Sequence, residues 1–321
     1  MENMVNDMVI VTGGAGYIGS HIVDLLLRHR YGVTVIDIQK KRTSRFFFNH
    51  LDAKTDYRIV DIRRKKKVDT LFSALHPAYV IHLSALPIVQ DAYGNPGDAF
   101  ETNIMGTVNV LEACRKYPKI KKIIVASSDK AYGKTKKSYT EKSPLQGDHP
   151  YDVSKSCEDL IAQTYFKTYG LPVIITRFGN VYGEGDFHFD RIIPGICRSI
   201  ITEKPLDIRS NGKYVRDYIY VTDVADGYIR LMKTKRNIEG EAFNFGSKET
   251  LAVVDVIKTV EKALKRKIPY KILNTAKNEI PFQSLDYSKI RKLIGWQPKK
   301  SIATTIRNIL EWYNIHCRSS L

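Results

Sequence analysis

The residues with the clearest chemical potential are Tyr151 and Lys155, which stand four positions apart in the segment PYDVSK. In a helix this separation places the two side chains on one face. An ammonium beside a phenol favours the phenolate, so the pKa of Tyr151 is expected to fall from about 10 toward neutrality. Such a phenolate takes the proton of a hydroxyl group while hydride leaves the same carbon. The pair therefore predicts acid–base catalysis at an alcohol.

The position of this pair separates it from chance matches in a Lys-rich chain. Tyr117 and Tyr132 are also followed by a lysine at the same spacing. Tyr117 stands where a helical pattern ends, and Tyr132 runs into a polar loop, whereas Pro150 marks a helix start at Tyr151. Ser128 follows an apolar segment that reads as the fifth strand. We expect its hydroxyl to hydrogen-bond the reacting oxygen beside Tyr151.

A glycine-rich stretch, TGGAGYIGS, follows the first apolar segment and opens a helical pattern. It contains G-x-G-x-x-G at residues 14–19, in the strand–turn–helix context that this motif requires. Glycines allow a tight turn and a close approach of the backbone to a pyrophosphate, and the helix N-terminus supplies free N–H groups. Gly13, Gly16 and Gly19 therefore predict a dinucleotide site, whose positive nicotinamide ring would further favour a phenolate at Tyr151.

The choice of dinucleotide rests on Asp37, which closes the second predicted strand 18 residues beyond Gly19. A carboxylate here holds both hydroxyls of an adenine ribose and repels a 2′-phosphate, so NAD is predicted over NADP. The basic run Lys40–Arg42 follows closely and leaves NADP open. Asp61 ends the third strand, where it either lies near the adenine or caps the strand end.

Short β-branched segments alternate with helical patterns through the first half of the chain. The predicted strands are 9–12, 33–37, 57–61, 79–83, 122–127 and 172–177. The predicted helices lie at about 17–30, 66–75, 98–117 and 150–169. Strands that are apolar throughout and separated by helices indicate a parallel sheet covered on both faces. The predicted fold class is α/β, a Rossmann-type doubly wound parallel sheet with a smaller C-terminal substrate-binding region.

The rhythm changes after Arg177, where Gly, Pro and aromatic residues cluster in GNVYGEGDFHFDRIIPG. Two further helices are predicted near 252–266 and 302–315. We therefore expect a dinucleotide-binding domain over residues 1–177, with later returns at about 213–247, and a mainly substrate-binding region over 178–321.

Composition argues against several classes of protein. No apolar stretch approaches the roughly 20 residues of a membrane-spanning helix, and the N-terminal segment lacks the features of a secretory signal. The cysteines form no CxxC pair, which argues against a metal site and fits a reducing cytoplasm. The net charge is +17. We interpret it as a solvated basic surface rather than a nucleic-acid-binding site, because the basic runs occupy different loops and helix ends. These runs are Lys40–Arg42, Arg63–Lys67, Lys134–Lys137 and Lys262–Lys267.

Several motifs together resemble the extended short-chain dehydrogenase/reductases, which are enzymes of nucleotide-activated sugars. The resemblance covers Val9 to about Pro298, and its motifs occur in the family's order. They are TGGAGYIGS, HLSA (82–85), NIMGTVNVLEAC (103–114), SSDKAYG (127–133), YDVSK, RFGNVYG (177–183) and RDYIYVTDVADG (216–227).

This resemblance implies NAD in the N-terminal domain and a nucleotide-activated hexose in the C-terminal region. The candidate cofactor-binding residues are Gly13, Gly16, Tyr17, Ile18, Gly19, Asp37, Asp61, Ile62, Leu83, Ala85, Tyr151 and Lys155. The candidate substrate-binding residues are Asn103, Asn180, Arg191 and Arg216. Arg216 is expected on the diphosphate, or alternatively in an ion pair with Asp217 or Asp223. The resemblance also implies a homodimer formed through the helices at about 98–117 and 150–169.

Two branches of these enzymes fit the residues, and both begin by oxidising C4 of the hexose. An epimerase then returns hydride to the other face of the ketone. A 4,6-dehydratase also removes the C5 proton and expels the C6 hydroxyl, which requires an additional acid and base. Asp129 and Lys130 stand where dehydratases carry that pair, although most have Glu as the second member. Ser-Asp-Lys and the segment 183–195 resemble the CDP-glucose 4,6-dehydratase branch.

By this resemblance Asp129 protonates the leaving hydroxyl, and Lys130 assists removal of the C5 proton. A lysine base requires a pKa lowered from about 10.4 by burial or positive neighbours. Lys130 is alternatively a substrate-binding cation or part of a 2-epimerase site. An epimerase, a 4-keto reductase and a decarboxylase therefore stay open beside the dehydratase. A non-enzymatic NAD sensor or nucleic-acid-binding protein is a remote alternative, because it would not need Ser128, Tyr151 and Lys155 together.

Overall fold

The structure is a computed structural model that describes residues 7–39, 43–135, 137–275 and 280–317. The strands, in chain order, are β1 (Met8–Thr12), β2 (Gly32–Asp37), β3 (Asp56–Ile59), β4 (Tyr79–His82), β5 (Lys122–Ala126), β6 (Val173–Phe178), β7 (Asn180–Tyr182), β8 (Leu206–Ile208), β9 (Val215–Tyr220), β10 (Ala242–Phe245), β11 (Thr250–Ala252) and β12 (Tyr270–Ile272). The α-helices are α1 (Tyr17–Arg28), α2 (Arg45–Phe48), α3 (Lys65–Leu75), α4 (Val89–Gly94), α5 (Pro96–Phe100), α6 (Gly106–Arg115), α7 (Pro150–Tyr169), α8 (Ile192–Thr202), α9 (Val221–Lys233), α10 (Val253–Leu264), α11 (Ser288–Ile294) and α12 (Ile302–His316).

Seven strands form one parallel sheet in the order β10-β6-β5-β4-β1-β2-β3. Its inner strands β1, β4, β5 and β6 are buried on both faces, to which successive residues point in turn, whereas the edge strand β3 is partly exposed. Val9 and Val11 pack into the core on one face, and Ile10 packs into the core on the other. The doubly wound α/β fold predicted from the sequence is confirmed.

The six predicted strands lie in this sheet, and the seventh strand, β10, was not predicted. It is short and reaches the sheet edge beside β6 only after a long excursion of the chain. The predicted helix at 98–117 is interrupted, because a π-helical turn at Glu101–Met105 separates α5 from α6. The division into two domains near residue 177 stays a prediction.

The remaining strands form two small sheets beside the carboxyl edge of the large one. One contains three strands in the order β11-β9-β7, and the other pairs β12 with β8. Sequence reasoning missed α8 and α9, which lie in the segment where strands and helices were hard to separate. The described residues include no helix with both the length and the apolar character needed to cross a membrane.

A buried ion pair fixes α7 against the sheet. Arg177 on β6 donates from Nε to Oδ2 of Asp159 at 2.7 Å and from its terminal nitrogen to Oδ1 at 2.8 Å. The two side chains are 2% and 0% exposed. The guanidinium also lies over the ring of Tyr132 and donates to its hydroxyl at 2.8 Å. This two-point contact holds the helix that carries Tyr151.

Arg177→Met is expected to lower the free energy of unfolding by about 3–5 kcal/mol, because it leaves the carboxylate of Asp159 buried without its counter-ion. Urea denaturation measures this loss. Arg177→Met combined with Asp159→Leu is expected to recover much of the stability, since a matched apolar pair removes the stranded charge. Arg115→Met breaks an exposed pair with Glu112 and serves as the control with little expected change. Unchanged stability in Arg177→Met contradicts the assignment.

Candidate active site

A cavity of about 630 Å³ opens where β5 and β6 end. Carboxyl ends of strands are the usual place for ligands in doubly wound sheets, and this volume suits a small molecule. The cavity is lined by four of the predicted catalytic residues and three of the predicted substrate-binding residues. These are Ser128, Asp129, Lys130, Tyr151, Asn180, Arg191 and Arg216. The fold therefore assembles at one place side chains that are almost 90 positions apart at the extremes, Ser128 and Arg216.

Tyr151 and Lys155 occupy the first turns of α7, which begins at Pro150. Both are buried, and the Tyr151 ring lines the cavity. Lys155 lies deeper, and its Nζ donates to the carbonyl oxygen of Ala126 at 2.9 Å and to Oε2 of Glu158 at 2.6 Å. The ammonium is therefore fixed between the fifth strand and its own helix.

The acidity of Tyr151 depends on opposing effects of its surroundings. Burial raises the pKa of Tyr151 above its ordinary value, and the positive charge of Lys155 and a hydrogen bond with Ser128 offset only part of that increase. The negative charges of Glu158 and Asp129 raise the pKa further. Among the protein groups, desolvation outweighs the single ammonium. The fall of the pKa toward neutrality, which was expected from the ammonium together with a positive nicotinamide ring, stays a prediction.

Ser128 forms hydrogen bonds with three residues beside the phenol. Its hydroxyl is hydrogen-bonded to Tyr151, donates to Oδ1 of Asp129 at 3.2 Å and accepts the backbone N–H of Lys130 at 3.2 Å. The last contact caps the short 3₁₀ turn Asp129–Tyr132. The turn thus presents a hydroxyl, a carboxylate and an ammonium in sequence at one side of the cavity.

Carboxylates and an amide surround Lys130. Its ammonium donates to Oε1 of Gln283, which is fully buried and follows β12 along the chain. Asp152 lines the same cavity, and burial raises its pKa to about 6, with Lys130 lowering it and Asp129 raising it. The described neighbours of Lys130 are thus an amide oxygen and two carboxylates, which differ from the positive surroundings that a lysine base requires.

The glycine loop fits a bound pyrophosphate. Gly13 has φ +71°, and a Cβ there would lie 2.8 Å from the backbone nitrogen of Ser84. At Gly19 a Cβ would lie 2.1 Å from the carbonyl oxygen of Gly13. A Cβ at Gly16 would meet only that same oxygen within 4 Å, so its side is open to a ligand. Gly13 and Gly19 therefore have no room for a side chain, whereas the space beside Gly16 is open to a phosphate that accepts backbone N–H groups.

Asp37 lies at the end of β2 beside this loop. Its carboxylate accepts the backbone N–H of Ala15 and that of Gln39, both at 3.1 Å. Burial raises the pKa of Asp37, although these backbone donors lower it. A half-buried carboxylate at the loop suits the hydroxyls of an adenine ribose. Lys40–Arg42, on which the NADP alternative depended, lie outside the described residues, as does Lys136.

The other cofactor candidates are distributed around the same edge. Leu83 and Ala85 follow β4, and Ile18 lines the cavity. Asp61 accepts the backbone N–H of Arg63 at 2.9 Å and pairs with its guanidinium at 2.8 Å, which matches the strand-end cap. Ile62 is buried in the core. Tyr17 is half-buried, and its buried hydroxyl has no hydrogen-bond partner among the described residues.

Asn103 differs from its predicted role in substrate binding. It is 0% exposed within the π-helical turn. Its Oδ1 accepts the backbone N–H of Leu86 at 2.7 Å, and its Nδ2 donates to Oγ of Ser154 at 2.9 Å. These bonds tie the turn to α7, and a fully buried amide has no free surface for a substrate. In this structure Asn103 positions the helix of Tyr151.

The substrate candidates in the second half of the chain line the cavity. Arg191 precedes α8, and its guanidinium donates to Oδ2 of Asp186 at 3.0 Å. Arg216 on β9 is buried, with its guanidinium over the ring of Tyr214. The proposed ion-pair partners of Arg216 have other bonds: Asp217 accepts N–H groups of Ser247 and Leu285, and Asp223 accepts those of Lys299 and Lys300.

Sequence reasoning missed Glu158, Asp152, Gln283 and Asp186. Glu158 stands three residues after Lys155, so helical spacing alone could have flagged it. Asp152 follows Tyr151 directly, and its side chain carried no separate signal. Gln283 and Asp186 are brought to the site by contacts between distant parts of the chain, which no local sequence pattern predicts. Among the described residues there is no cluster of His, Cys, Asp and Glu suited to a metal ion.

Comparison with known proteins agrees with this geometry. A family model described as GDP-mannose 4,6 dehydratase matches residues 10–309. The dTDP-glucose 4,6-dehydratase of Neisseria meningitidis serogroup B is 30% identical, over 95% of this chain and 92% of the relative. UDP-glucose 4-epimerase from Thermotoga maritima, solved with UDP-glucose, gives a TM-score of 0.87 at 28% identity, over 96% of this chain and 99% of that one.

A second solved structure represents the dehydratases. The dTDP-glucose 4,6-dehydratase DesIV from Streptomyces venezuelae, solved with NAD, gives a TM-score of 0.85 at 27% identity, over 96% of this chain and 97% of that one. The dinucleotide loop, the Tyr151–Lys155 pair and the family match therefore lead to one conclusion. This chain belongs to the GDP-mannose 4,6-dehydratase family of extended short-chain dehydrogenase/reductases.

Proposed function

We propose that the protein is an NAD-dependent nucleotide-sugar 4,6-dehydratase, which converts CDP-glucose or a related nucleoside-diphosphate hexose to the 4-keto-6-deoxy sugar. The observation that carries the proposal is the placement of Asp129 and Lys130 next to Ser128 and Tyr151 in one cavity. An oxidation at C4 needs only Ser128, Tyr151 and Lys155. The additional carboxylate and ammonium suit an elimination, which requires proton transfers at C5 and C6 as well.

The cofactor proposal rests on the glycine loop and Asp37, which fit a dinucleotide without a 2′-phosphate. When bound, NAD would supply a positive ring beside the phenol and the capacity to accept and donate hydride at the sugar. Gly13, Gly16 and Gly19 admit the pyrophosphate, and Asp37 holds the adenine ribose. In this division residues up to about 177, with the return through β10, bind the cofactor, and the later region binds the nucleotide sugar.

Each polar side chain has a proton-transfer role in the proposal. The Tyr151 oxygen takes the C4 hydroxyl proton and later releases it to solvent, because C4 stays a ketone in the product. Ser128 hydrogen-bonds the same oxygen atom of the sugar. Asp129 protonates the leaving C6 hydroxyl. Lys130 assists removal of the C5 proton as an ammonium that stabilises the developing negative charge. Asp152 is the cavity carboxylate suited to receive that proton and to return one to C5 when hydride reaches C6, since burial raises its pKa to about 6.

The substrate proposal uses the cationic and amide groups across the cavity. Arg216 and Arg191 suit the negative diphosphate, and Asn180 lines the same cavity. The preference for CDP-glucose rests on the resemblance of the Ser128-Asp129-Lys130 sequence and of the segment 183–195 to the CDP-glucose 4,6-dehydratase branch. Because the chain is similar to a dTDP-glucose 4,6-dehydratase, dTDP-glucose is an equally good candidate substrate to test.

Incubation of the purified protein and NAD with CDP-glucose, dTDP-glucose, UDP-glucose and GDP-mannose tests the function. We expect one of them to yield a product lighter by one water, detected by mass spectrometry. A product of unchanged mass that is a sugar epimer moves the assignment to an epimerase, the alternative favoured by the likeness to UDP-glucose 4-epimerase. Turnover of none of them contradicts both.

A homodimer is part of the proposal. Exposed apolar side chains lie on the π-helical turn before α6 and on α7, including Met105 at 52% and Leu160 at 51% exposure. Light scattering is expected to give twice the mass of one chain, and Leu160→Glu is expected to shift the mass toward one chain, because it places a charge in the apolar contact. A monomeric wild-type protein contradicts this proposal. A cytoplasmic location is proposed from the scattered cysteines alone.

A further inference from the structure

The ammonium of Lys155 has a buried counter-ion that the proposed chemistry does not require. Its Nζ lies 2.6 Å from Oε2 of Glu158. The side chains of Lys155 and Glu158 are 5% and 1% exposed. A charge-assisted hydrogen bond of this length is strong when water is excluded, and a surface pair of the same length would contribute little. The contact therefore affects both the position and the protonation of the Lys155 ammonium.

The position of Glu158 follows from its place on α7 and from a neighbouring helix. Three residues separate it from Lys155, so both point into the protein from one face. The hydroxyl of Thr107 on α6 is hydrogen-bonded to the carboxylate of Glu158. That hydroxyl also lies 2.9 Å from Nε2 of His82, whose Nδ1 lies 2.7 Å from the hydroxyl of Thr12. A continuous polar chain thus runs from β1 to the carboxylate.

This polar chain carries no charge before it reaches Glu158. Burial and the positive charge of Lys155 together lower the pKa of His82 to about 3, so the ring is neutral. Thr12 accepts backbone N–H groups at the end of β4, so its own proton points to Nδ1 of His82. The proton on Nε2 then points to Thr107, whose hydroxyl contacts the carboxylate of Glu158 and the carbonyl oxygen of Asn103, 2.7 Å away. Glu158 is therefore held between this neutral hydroxyl and the ammonium of Lys155.

The charged and titratable groups around Lys155 are few. Burial lowers the pKa of Lys155, and Glu158, Tyr151 and Asp159 together raise it above its ordinary value. Asp159 forms its short contacts with Arg177, and the neutral His82 faces Lys155 from β4. Tyr228 on α9 faces Glu158 from the other side. Burial raises the pKa of Glu158, and Lys155 opposes that rise.

We propose that Glu158 is a positioning residue that fixes the ammonium of Lys155 beside Tyr151 and keeps it charged in a site without water. Without that carboxylate, a buried lysine loses its proton more readily. Its effect on turnover rests on the proposed function, since it acts through the Tyr151–Lys155 pair. The protonation state of Lys155 itself can be measured without substrate or cofactor.

The test is Glu158→Gln, which keeps the size and one acceptor oxygen but removes the charge. NMR of carbon-13-labelled lysine, with the Lys155 signal assigned by its loss in Lys155→Arg, follows the titration directly. We expect the midpoint of Lys155 to fall by about one to three pH units. The alkaline limb of kcat/KM is expected to move to lower pH by the same amount. An unchanged Lys155 midpoint overturns the proposal.

Glu158→Asp is the conservative variant, and it also covers the possibility that Glu158→Gln fails to fold. It keeps the charge and withdraws it by one methylene, so its midpoint is expected between those of wild type and Glu158→Gln. Equal shifts in both variants, or no shift in Glu158→Asp when it alone folds, overturn the proposal. If no nucleotide sugar is turned over but the Lys155 midpoint shifts as expected, the proposed function fails and the role of Glu158 stands.

Discussion

Tyr151→Phe is expected to reduce turnover by about 10²–10⁴-fold, the usual contribution of a positioned acid–base group. The variant keeps the ring that lines the cavity and removes only the oxygen that exchanges the C4 hydroxyl proton. NAD binding is expected to persist, because the glycine loop and Asp37 are untouched. Initial rates with the accepted nucleotide sugar measure the first effect, and calorimetric titration with NAD measures the second.

Tyr165→Phe is the matched control for this experiment. Tyr165 lies on the same helix, and its hydroxyl donates to Glu112 at 2.9 Å, away from the cavity. We expect the control to keep its turnover while Tyr151→Phe loses it. Retained turnover in Tyr151→Phe contradicts the acid–base role, and loss of NAD binding would show that the phenol acts through the cofactor site instead.

Asp129→Asn is expected to stop elimination while leaving oxidation at C4 possible. Asparagine has nearly the same shape, but it has no acidic proton to give to the leaving C6 hydroxyl. The loss of water is expected to fall by about 10²-fold or more. Product mass measures the elimination. The absorbance of reduced nicotinamide measures the oxidation at C4, because the hydride is no longer returned to C6.

Asp226→Asn removes a carboxylate on the outer face of α9, where Asp226 pairs with Arg230 at 2.7 Å, and serves as the control. Its rate of water loss is expected to match that of wild type. Elimination at the wild-type rate in Asp129→Asn contradicts the acid role. Loss of both half-reactions would show that Asp129 is needed to arrange Ser128, to which it is hydrogen-bonded at 3.2 Å.

Local patterns in the sequence predicted much of the fold. The glycine loop, the six apolar strands and the helix at Pro150 each depend on residues close together in the chain. β10 escaped prediction because a four-residue strand gains its stability from pairing with β6, about 70 positions earlier. The π-helical turn escaped because it depends on the buried bonds of Asn103 to Leu86 and Ser154.

The candidate site was predictable to a similar extent. Ser128, Asp129, Lys130 and Tyr151 were predicted from local motifs, and the fold places all four on one cavity. The acidity of Tyr151 was not predictable, because it depends on how far burial outweighs one ammonium. The environment of Lys130 depends on Gln283, 153 residues away, so no motif around Lys130 reported it.

The most direct test of the central claim is the mass of the product formed in deuterated water. A 4,6-dehydratase removes the C5 proton, so its product is expected to be lighter by one water and to carry one deuterium at C5, located by NMR. An epimerase leaves C5 untouched. A product with unchanged hexose composition and no deuterium on carbon would contradict the assignment of Asp129 and Lys130 to an elimination.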